Sequence, residues 1–362
     1  MPAASLLFAF LATGIVLQAT GHDAPSSYRK LIDAAFVSPG ALGQSLIAAT
    51  PLAFTGLAAA AAFRMRLFNI GGEGQLYIGA ITAAAAGLYL GAKGWPTALV
   101  IAAMVVAGAA GGAAWASIAG VLRAFFKTSE IITSLMLNYV AAYVLTYLIF
   151  NSESYFRETQ GFNAKVFPTG KPLPDKALWP AETLHLQGTI ALPLGAGIAL
   201  LCAIGLWFLY SRTRFGFEVQ VLGDSPRAAH YAGIRTRRKI LAVMAISGAL
   251  AGLGGASQDG DFRHTLDADP NGLQRQYYGY AGIVVAALGR YNPFAVLVVA
   301  FLIGGLQNAG NTLQGADFPS GLVGVIQGLI LFSALGGELL VRYRIRVSRR
   351  PRTDAAPAPE AT

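Results

Sequence analysis

Several carboxyl and amide side chains lie inside strongly apolar stretches of this sequence. Polar groups in such places are costly and often mark the path of a solute or an ion. Uncharged amides suit a neutral, hydroxyl-rich solute better than an ion, because they both donate and accept hydrogen bonds. Hydrogen bonding between helices is the alternative role for each of them. The candidates for solute contact are Asn69, Glu73, Gln75, Asn138, Tyr139, Gln307, Asn308 and Asn311.

No catalytic constellation accompanies these residues. The single cysteine, Cys202, lies in an apolar run and cannot form a disulfide framework. A Gly-x-x-x-x-Gly-Lys-Ser/Thr phosphate-binding loop is absent from the sequence. The histidines fall in loops, without a nucleophile or a second metal ligand at suitable spacing: His22, His185, His230 and His264. We therefore expect no enzyme activity, and no metal or cofactor bound by this chain.

The composition indicates which elements must position these side chains. Of the 362 residues, 54% are hydrophobic and only 12% are charged, and the mean hydropathy is +0.52. Soluble domains carry about 25% charged residues, so the apolar excess must face lipid. The net charge of +9 comes without the interleaved aromatic residues of a nucleic-acid binder. The sequence predicts an all-α, polytopic transmembrane helical bundle and no nucleic-acid partner.

Apolar runs of about 20 residues predict bilayer-spanning helices. They occur at 5–20, 45–63, 74–90, 95–122, 131–150, 189–210, 240–256, 293–313 and 321–340. A shorter run at 277–288 is either a span or half of a re-entrant hairpin, which gives about ten membrane segments. The first run lacks the basic flank of a secretory signal, so it is expected to be a retained helix.

The distribution of lysine and arginine predicts the orientation and the soluble parts. With both termini cytoplasmic, most of the 27 basic residues fall in cytoplasmic connections. The transmembrane domain then covers 1–348, with an external loop at 151–188 and a basic cytoplasmic loop at 211–239. The stretch 349–362 is rich in Ala and Pro and predicts a disordered cytoplasmic tail.

The cytoplasmic loop contains the signals of a short, capped helix. Asp224 or Ser225 can cap its N-terminus, Pro226 suits its first turn and Gly233 can end it in a left-handed conformation. A helix of about two turns does not persist alone in water, so something must hold it. Docking into the cleft of a partner ATPase would do so, and an ordinary interfacial loop helix is the alternative.

The order of several motifs resembles a known family, the inner-membrane permeases of ABC importers for branched-chain amino acids, ribose and nucleosides. The resemblance runs from about residue 6 to residue 340. The sequence at 67–75 and 130–139 is most similar to the nucleoside and simple-sugar branch. The motifs are 69–75 (NIGGEGQ), 128–132 (TSEII), 136–139 (MLNY), 223–234 (GDSPRAAHYAGI), 279–283 (GYAGI), 287–290 (ALGR) and 326–328 (IQG).

This resemblance implies a permease subunit of an ATP-driven importer in the bacterial inner membrane. It implies a cytoplasmic ATPase that uses ATP and Mg, an extracytoplasmic binding protein or lipoprotein, and a second, related permease in a heterodimer, with a homodimer as the alternative. It also implies that the short helix is the coupling helix that contacts the ATPase. Its residues are Asp224, Ser225, Pro226, Arg227, Ala228, Ala229, His230, Tyr231, Ala232 and Gly233.

Two other classes of function stay open on the residues alone. An ion-coupled secondary transporter could use Glu73 and its neighbouring glycines as an ion site, although this carboxylate stands alone there. An intramembrane enzyme or a scaffold is the third reading, without a catalytic pair to support it. The sequence does not separate a nucleoside from a simple sugar as the solute.

Overall fold

The architecture is that of a computed structural model, which describes residues 11–15, 17–19, 21–160, 164, 167–185, 189–274, 277–313, 324, 325, 328, 329 and 332. The chain divides into two compact units. One is Pro25–Val323, which holds the elements discussed below, and the other combines Met1–Ala24 with Gly324–Thr362. In the second unit the described residues are mostly helical, notably at 11–15 and 17–19.

The described part of the chain is predominantly helical. Its helices are α1 (Ala24–Ile32), α2 (Ala41–Phe63), α3 (Gly72–Ala92), α4 (Thr97–Phe126), α5 (Glu130–Thr146), α6 (Leu194–Arg212), α7 (Arg214–Asp224), α8 (Pro226–Tyr231), α9 (Thr236–Ser257), α10 (Tyr278–Leu288) and α11 (Pro293–Thr312). Short π-helical turns follow α1, α5 and α9, at Asp33–Val37, Tyr147–Asn151 and Gln258–Arg263.

Seven helices within the described residues are long and apolar enough to cross a membrane. They are α2, α3, α4, α5 continued to Asn151, α6, α9 continued to Arg263, and α11. These match seven of the runs predicted from the sequence. The predicted run at 321–340 and the tail at 349–362 lie largely or wholly outside the described residues, as does part of the run at 5–20. The total of about ten segments therefore stays a prediction.

The run at 277–288 forms the short helix α10. At about 1.5 Å per residue its 11 residues rise roughly 16 Å, about half of a hydrocarbon core of ~30 Å. It packs against α2, α3 and α11. The length of α10 therefore favours a half-helix over a complete span.

Small residues allow α4 and α9 to cross in close contact. A Cβ atom added at Gly112 would collide with the backbone of Gly248, and one added at Gly252 would collide with the backbone of Gly108. Only glycine permits two helix backbones to approach this closely. The small-residue pattern of these two helices is thus explained by packing.

Described residues of the loop between α5 and α6 pack against the ends of neighbouring helices. Leu173, Ala177 and Trp179 are buried against the ends of α3 and α4. Two antiparallel strands close the loop, β1 (Ala181–His185) and β2 (Thr189–Pro193). The sequence analysis did not predict these strands, and α6 accordingly begins at Leu194 instead of at residue 189.

Candidate functional site

A short non-helical segment, residues 64–71, joins α2 to α3, and this segment and the first turn of α3 are hydrogen-bonded to α5. The N–H of Phe68 donates to Glu130 Oε1 at 3.4 Å, that of Ile70 to Ser134 Oγ at 3.1 Å, and that of Gly74 to Asn138 Oδ1 at 2.8 Å. The three acceptors are buried and recur every four residues, so they share one face of α5. Backbone N–H groups that have no partner within their own segment are satisfied in this way.

Asn69 ties this segment to α9 and to the first turn of α3. Its side-chain amide and that of Gln75 donate to each other, at 3.0 and 2.9 Å. Asn69 Nδ2 also donates to Ser247 Oγ at 2.9 Å, and Ser247 in turn donates to the carbonyl of Ala58 at 2.7 Å. All three polar side chains are buried, with exposures of 3% or less. The amides therefore satisfy each other within the protein.

Glu73 joins the start of α3 to the start of α10. It is fully buried, and its two carboxyl oxygens accept from the hydroxyl of Tyr77 and from the N–H of Gly279, both at 2.6 Å. The Tyr77 hydroxyl also accepts from the N–H of Gln274 at 2.8 Å. An acidic side chain suits this position, because the first N–H groups of a helix lack partners within the helix.

The remaining candidates for solute contact are dispersed. The Tyr139 side chain is 43% exposed. Its neighbour in sequence, Asn138, is buried and donates to the hydroxyl of Tyr280 at 3.1 Å. Asn308 donates to Ser45 Oγ at 3.1 Å and so ties α11 to α2. Gln307 is half-buried and Asn311 is exposed. The structure thus brings Asn69, Glu73, Gln75 and Asn138 together at the start of α3, apart from the three residues of α11.

The short helix α8 has the ends that its sequence predicts. Ser225 Oγ accepts from the N–H of Ala228 at 3.4 Å, and Pro226 is the first helical residue. Gly233 has φ +70°, and its N–H donates to the carbonyl of His230 while the N–H of Ile234 donates to that of Ala229. This pair of bonds is the Schellman arrangement of a left-handed glycine stop. The helix therefore closes its own ends.

One face of α8 is held by the protein and the other is free. Ala229 is fully buried, whereas the Tyr231 side chain is 91% exposed. Neighbouring contacts fix the chain on either side, since Arg66 pairs with Asp224 at 3.4 Å and Lys239 with Glu218 at 2.5 Å. The two faces of α8 therefore differ strongly in their exposure.

Comparison with known proteins places the chain in a family. Residues 41–335 match the family described as the branched-chain amino acid transport system / permease component. The chain belongs to this family. The match covers every described spanning helix and α8, so the permease resemblance seen in the sequence is confirmed.

The permease is also similar to characterised transporter subunits. A guanosine ABC transporter permease protein of Bacillus subtilis is 31% identical over 91% of both chains. A nucleoside ABC transporter permease protein of Lactococcus lactis subsp. cremoris is 30% identical over 100% of this chain and 96% of its own length. A glucose ABC transporter permease protein of Haloferax volcanii is 30% identical over 99% of this chain and 92% of its own.

Several residues that shape the polar cluster of the permease were not predicted from the sequence. They are Tyr77, Glu130, Ser134, Ser247, Gln274 and Gly279. One signal could have revealed part of this set, because Glu130, Ser134 and Asn138 are polar residues at four-residue spacing within an apolar helix. Polar residues in this register indicate a hydrogen-bonded neighbour along that face.

Proposed function

We propose that this permease subunit imports a small neutral solute by using the ATP hydrolysis of a separate ATPase, which docks on α8. The observation that carries the proposal is the division of α8 into a held face at Ala229 and a free face at Tyr231. Family membership supports an ABC transport role for the chain. ATP and Mg would be used by the partner, since the sequence has no phosphate-binding loop of its own.

Co-purification with the co-expressed ATPase tests this role. Ala229→Glu places a charge in the buried contact of α8, and Gly233→Pro removes both the left-handed stop and the N–H that donates to His230. We expect both variants to lose the ATPase and solute uptake while still inserting into the membrane. Gly205→Ala is the matched control, because a Cβ atom there meets open space. Retention of the ATPase and of uptake in both variants would exclude the docking role.

We propose a nucleoside or a simple sugar as the solute. The three similar transporters are named for guanosine, nucleosides and glucose, which are all neutral and rich in hydroxyl groups. The experiment is radiolabelled uptake in cells that lack this gene, with each candidate as competitor. Competition by nucleosides but not by glucose would assign the nucleoside class, and the converse would assign the sugar class.

We further propose a division of roles among seven of the eight candidate residues, since the eighth, Asn308, ties α11 to α2. Four of them form hydrogen bonds within the protein, which supports a role in holding the start of α3: Asn69, Glu73, Gln75 and Asn138. Tyr139, Gln307 and Asn311 are at least partly exposed, which leaves them as candidates for solute contact. Substitutions in the second group should change the solute concentration for half-maximal uptake more than they change the amount of folded protein.

An ion-coupled mechanism has less support. The similar transporters are ABC permeases, and both carboxyl oxygens of Glu73 already have partners within the protein. Vesicles that contain only this chain decide between the mechanisms. Accumulation of solute against its gradient, driven by protons or sodium alone, would exclude the ATPase-dependent proposal.

The proposed assembly also fixes an orientation. Both termini and α8 would lie in the cytoplasm, as the distribution of basic residues supports. An extracytoplasmic binding protein would deliver the solute on the opposite side, and a second permease would complete the pathway, as a heterodimer or, alternatively, a homodimer. Labelling of single cysteines introduced at Tyr231 and Lys176 in a Cys202→Ser background tests the orientation, with only Lys176→Cys expected to react from outside.

A further inference from the structure

A cleft of about 330 Å³ opens where the ends of α2, α7 and α10 meet. Three guanidinium groups line it, those of Arg64, Arg66 and Arg290, together with a single carboxylate, that of Asp224. Clefts lined by one sign of charge concentrate the field and attract ions of the opposite sign. The cleft therefore has the charge of an anion site.

Arg64 forms the inner wall of this cleft. Its Nη2 donates to the carbonyl of Tyr291 at 3.2 Å, and its guanidinium carbon lies 5.0 Å from the centre of the Tyr210 ring. Burial lowers the pKa of the Arg64 guanidinium from its ordinary value, and the neighbouring Tyr210 opposes this effect. A guanidinium carries five N–H donors, and no carboxylate pairs with that of Arg64 among the described residues.

A strained turn supplies the opposite wall. Arg290 and Tyr291 have φ values of +50° and +58°, which residues other than glycine seldom adopt. Hydrogen bonds from their N–H groups to the carbonyls of Ala287 and Ala286 hold the turn. The turn places the Tyr291 carbonyl against Arg64 and leaves Arg290 without an ion-pair partner in the part of the chain that the structure describes.

We propose that this cleft binds a phosphate group, carried either by an anionic phospholipid or by a soluble phosphate compound. Guanidinium groups match phosphate oxygens with paired, charge-assisted hydrogen bonds. The cleft lies at the end of the spanning helix α2, where Phe63 and Arg64 both line it. Basic pockets at this level of a membrane protein are suited to lipid head groups, and the same groups would accept a free phosphate.

Occupation of the cleft would reach α8 through Arg66. The Arg66–Asp224 ion pair lines the same cleft and is largely exposed, and Asp224 directly precedes the Ser225 cap. A bound phosphate competes with Asp224 for Arg66 and so loosens one of the contacts that fix α8. This consequence, unlike binding itself, rests on the proposed docking role of α8.

Binding is measured on the purified permease in neutral detergent. Native mass spectrometry with phosphatidylglycerol against phosphatidylcholine detects the lipid, and equilibrium dialysis with labelled inorganic phosphate detects the soluble anion. We expect Arg64→Gln and Arg290→Gln to weaken binding by about tenfold each, as the loss of one charge-assisted contact implies. Arg64→Lys keeps the charge but not the planar guanidinium group, so it should retain part of the binding.

Arg214→Gln is the matched control, because Arg214 is an exposed arginine of α7 that does not line the cleft. If Arg64→Gln and Arg290→Gln lose only lipid retention, the ligand is a lipid head group. If they lose only phosphate binding, the ligand is a soluble phosphate compound. The proposal would be overturned if each probe bound equally well to the wild type, to Arg64→Gln and to Arg290→Gln. This holds provided that the variants melt at the wild-type temperature.

The ATP hydrolysis rate in nanodiscs tests the competition with Asp224. Phosphatidylglycerol, or phosphate if that is the ligand, should change the rate of the wild type but not that of Arg64→Gln. If binding is lost in the variant while both rates respond alike, the competition step is wrong and the site stands. If Ala229→Glu also keeps its ATPase, the docking role of α8 is wrong and the phosphate site again stands on its own binding data.

Discussion

The carboxyl group of Glu73 accepts the backbone N–H of Gly279 at 2.6 Å, although the two residues lie 206 positions apart in the chain. One lies in the first turn of α3 and the other in the first turn of α10. The contact therefore fixes the beginnings of two helices against each other at a buried point, where an unpaired N–H group would be costly.

Replacing Glu73 should destabilise the protein before it affects solute recognition. In Glu73→Ala the hydroxyl of Tyr77 and the N–H of Gly279 both lose an acceptor, at a cost of about 1–3 kcal/mol per buried group. Thermal unfolding in detergent measures the loss, and Asn311→Ala, at an exposed position of α11, should leave the melting temperature unchanged. A normal melting temperature with abolished uptake would assign Glu73 to the solute instead.

The hydrogen bonds along α5 should contribute together. Ser134→Ala removes the acceptor of the Ile70 N–H, and Asn138→Leu removes that of the Gly74 N–H. We expect each to cost about 1–3 kcal/mol, with a non-additive double variant because Ile70 and Gly74 lie only four residues apart around the start of α3. Thr133→Ala is the control, since its hydroxyl bonds only to its own helix at Ser129. Additive losses in the melting experiment would show that the contacts act independently.

A single methyl group added where α4 and α9 cross should lower the stability of the protein. Gly252→Ala directs a Cβ atom at the backbone of Gly108, and overpacking of this kind costs about 1–3 kcal/mol. Gly205→Ala, where the Cβ atom meets nothing within 4 Å, should be neutral or slightly stabilising. The comparison needs only the melting temperatures of the two variants, and equal values would contradict the close approach.

Tyr231→Ala should separate docking from folding. Because this side chain is 91% exposed in the isolated chain, its loss should leave the melting temperature of the permease unchanged. If Tyr231 anchors the ATPase, its loss should weaken that complex by about 2 kcal/mol or more, as for a central aromatic contact. Titration of the ATPase onto permease in nanodiscs measures the affinity, and Tyr89→Ala, an exposed tyrosine of α3, is the control. Unchanged affinity would remove Tyr231 from the interface.

The sequence predicted those features that depend on local patterns. The apolar runs predicted seven spanning helices within the described residues, and Ser225, Pro226 and Gly233 predicted both ends of α8. The resemblance in motif order predicted the family. Each of these follows from neighbouring residues, because helix periodicity and capping act within a few positions of the chain.

The partners of the polar residues could not be predicted in the same way. Asn69 was recognised as a buried amide, but its contact with Ser247 joins residues 178 positions apart. The hydrogen-bond acceptors of the N–H groups before and at the start of α3 could not be predicted either. Tertiary packing decides that these groups lie against α5. The strands β1 and β2 were missed because only five residues form each of them, within a loop rich in proline.

The Glu73–Gly279 contact bears on how this protein changes shape during a transport cycle. The two helix ends joined by this contact cannot slide past each other without leaving the Gly279 N–H unpaired in the protein interior. We therefore expect α3 and α10 to travel as one rigid piece. The contacts that open and close for the solute are then expected to lie elsewhere than between these two helix ends.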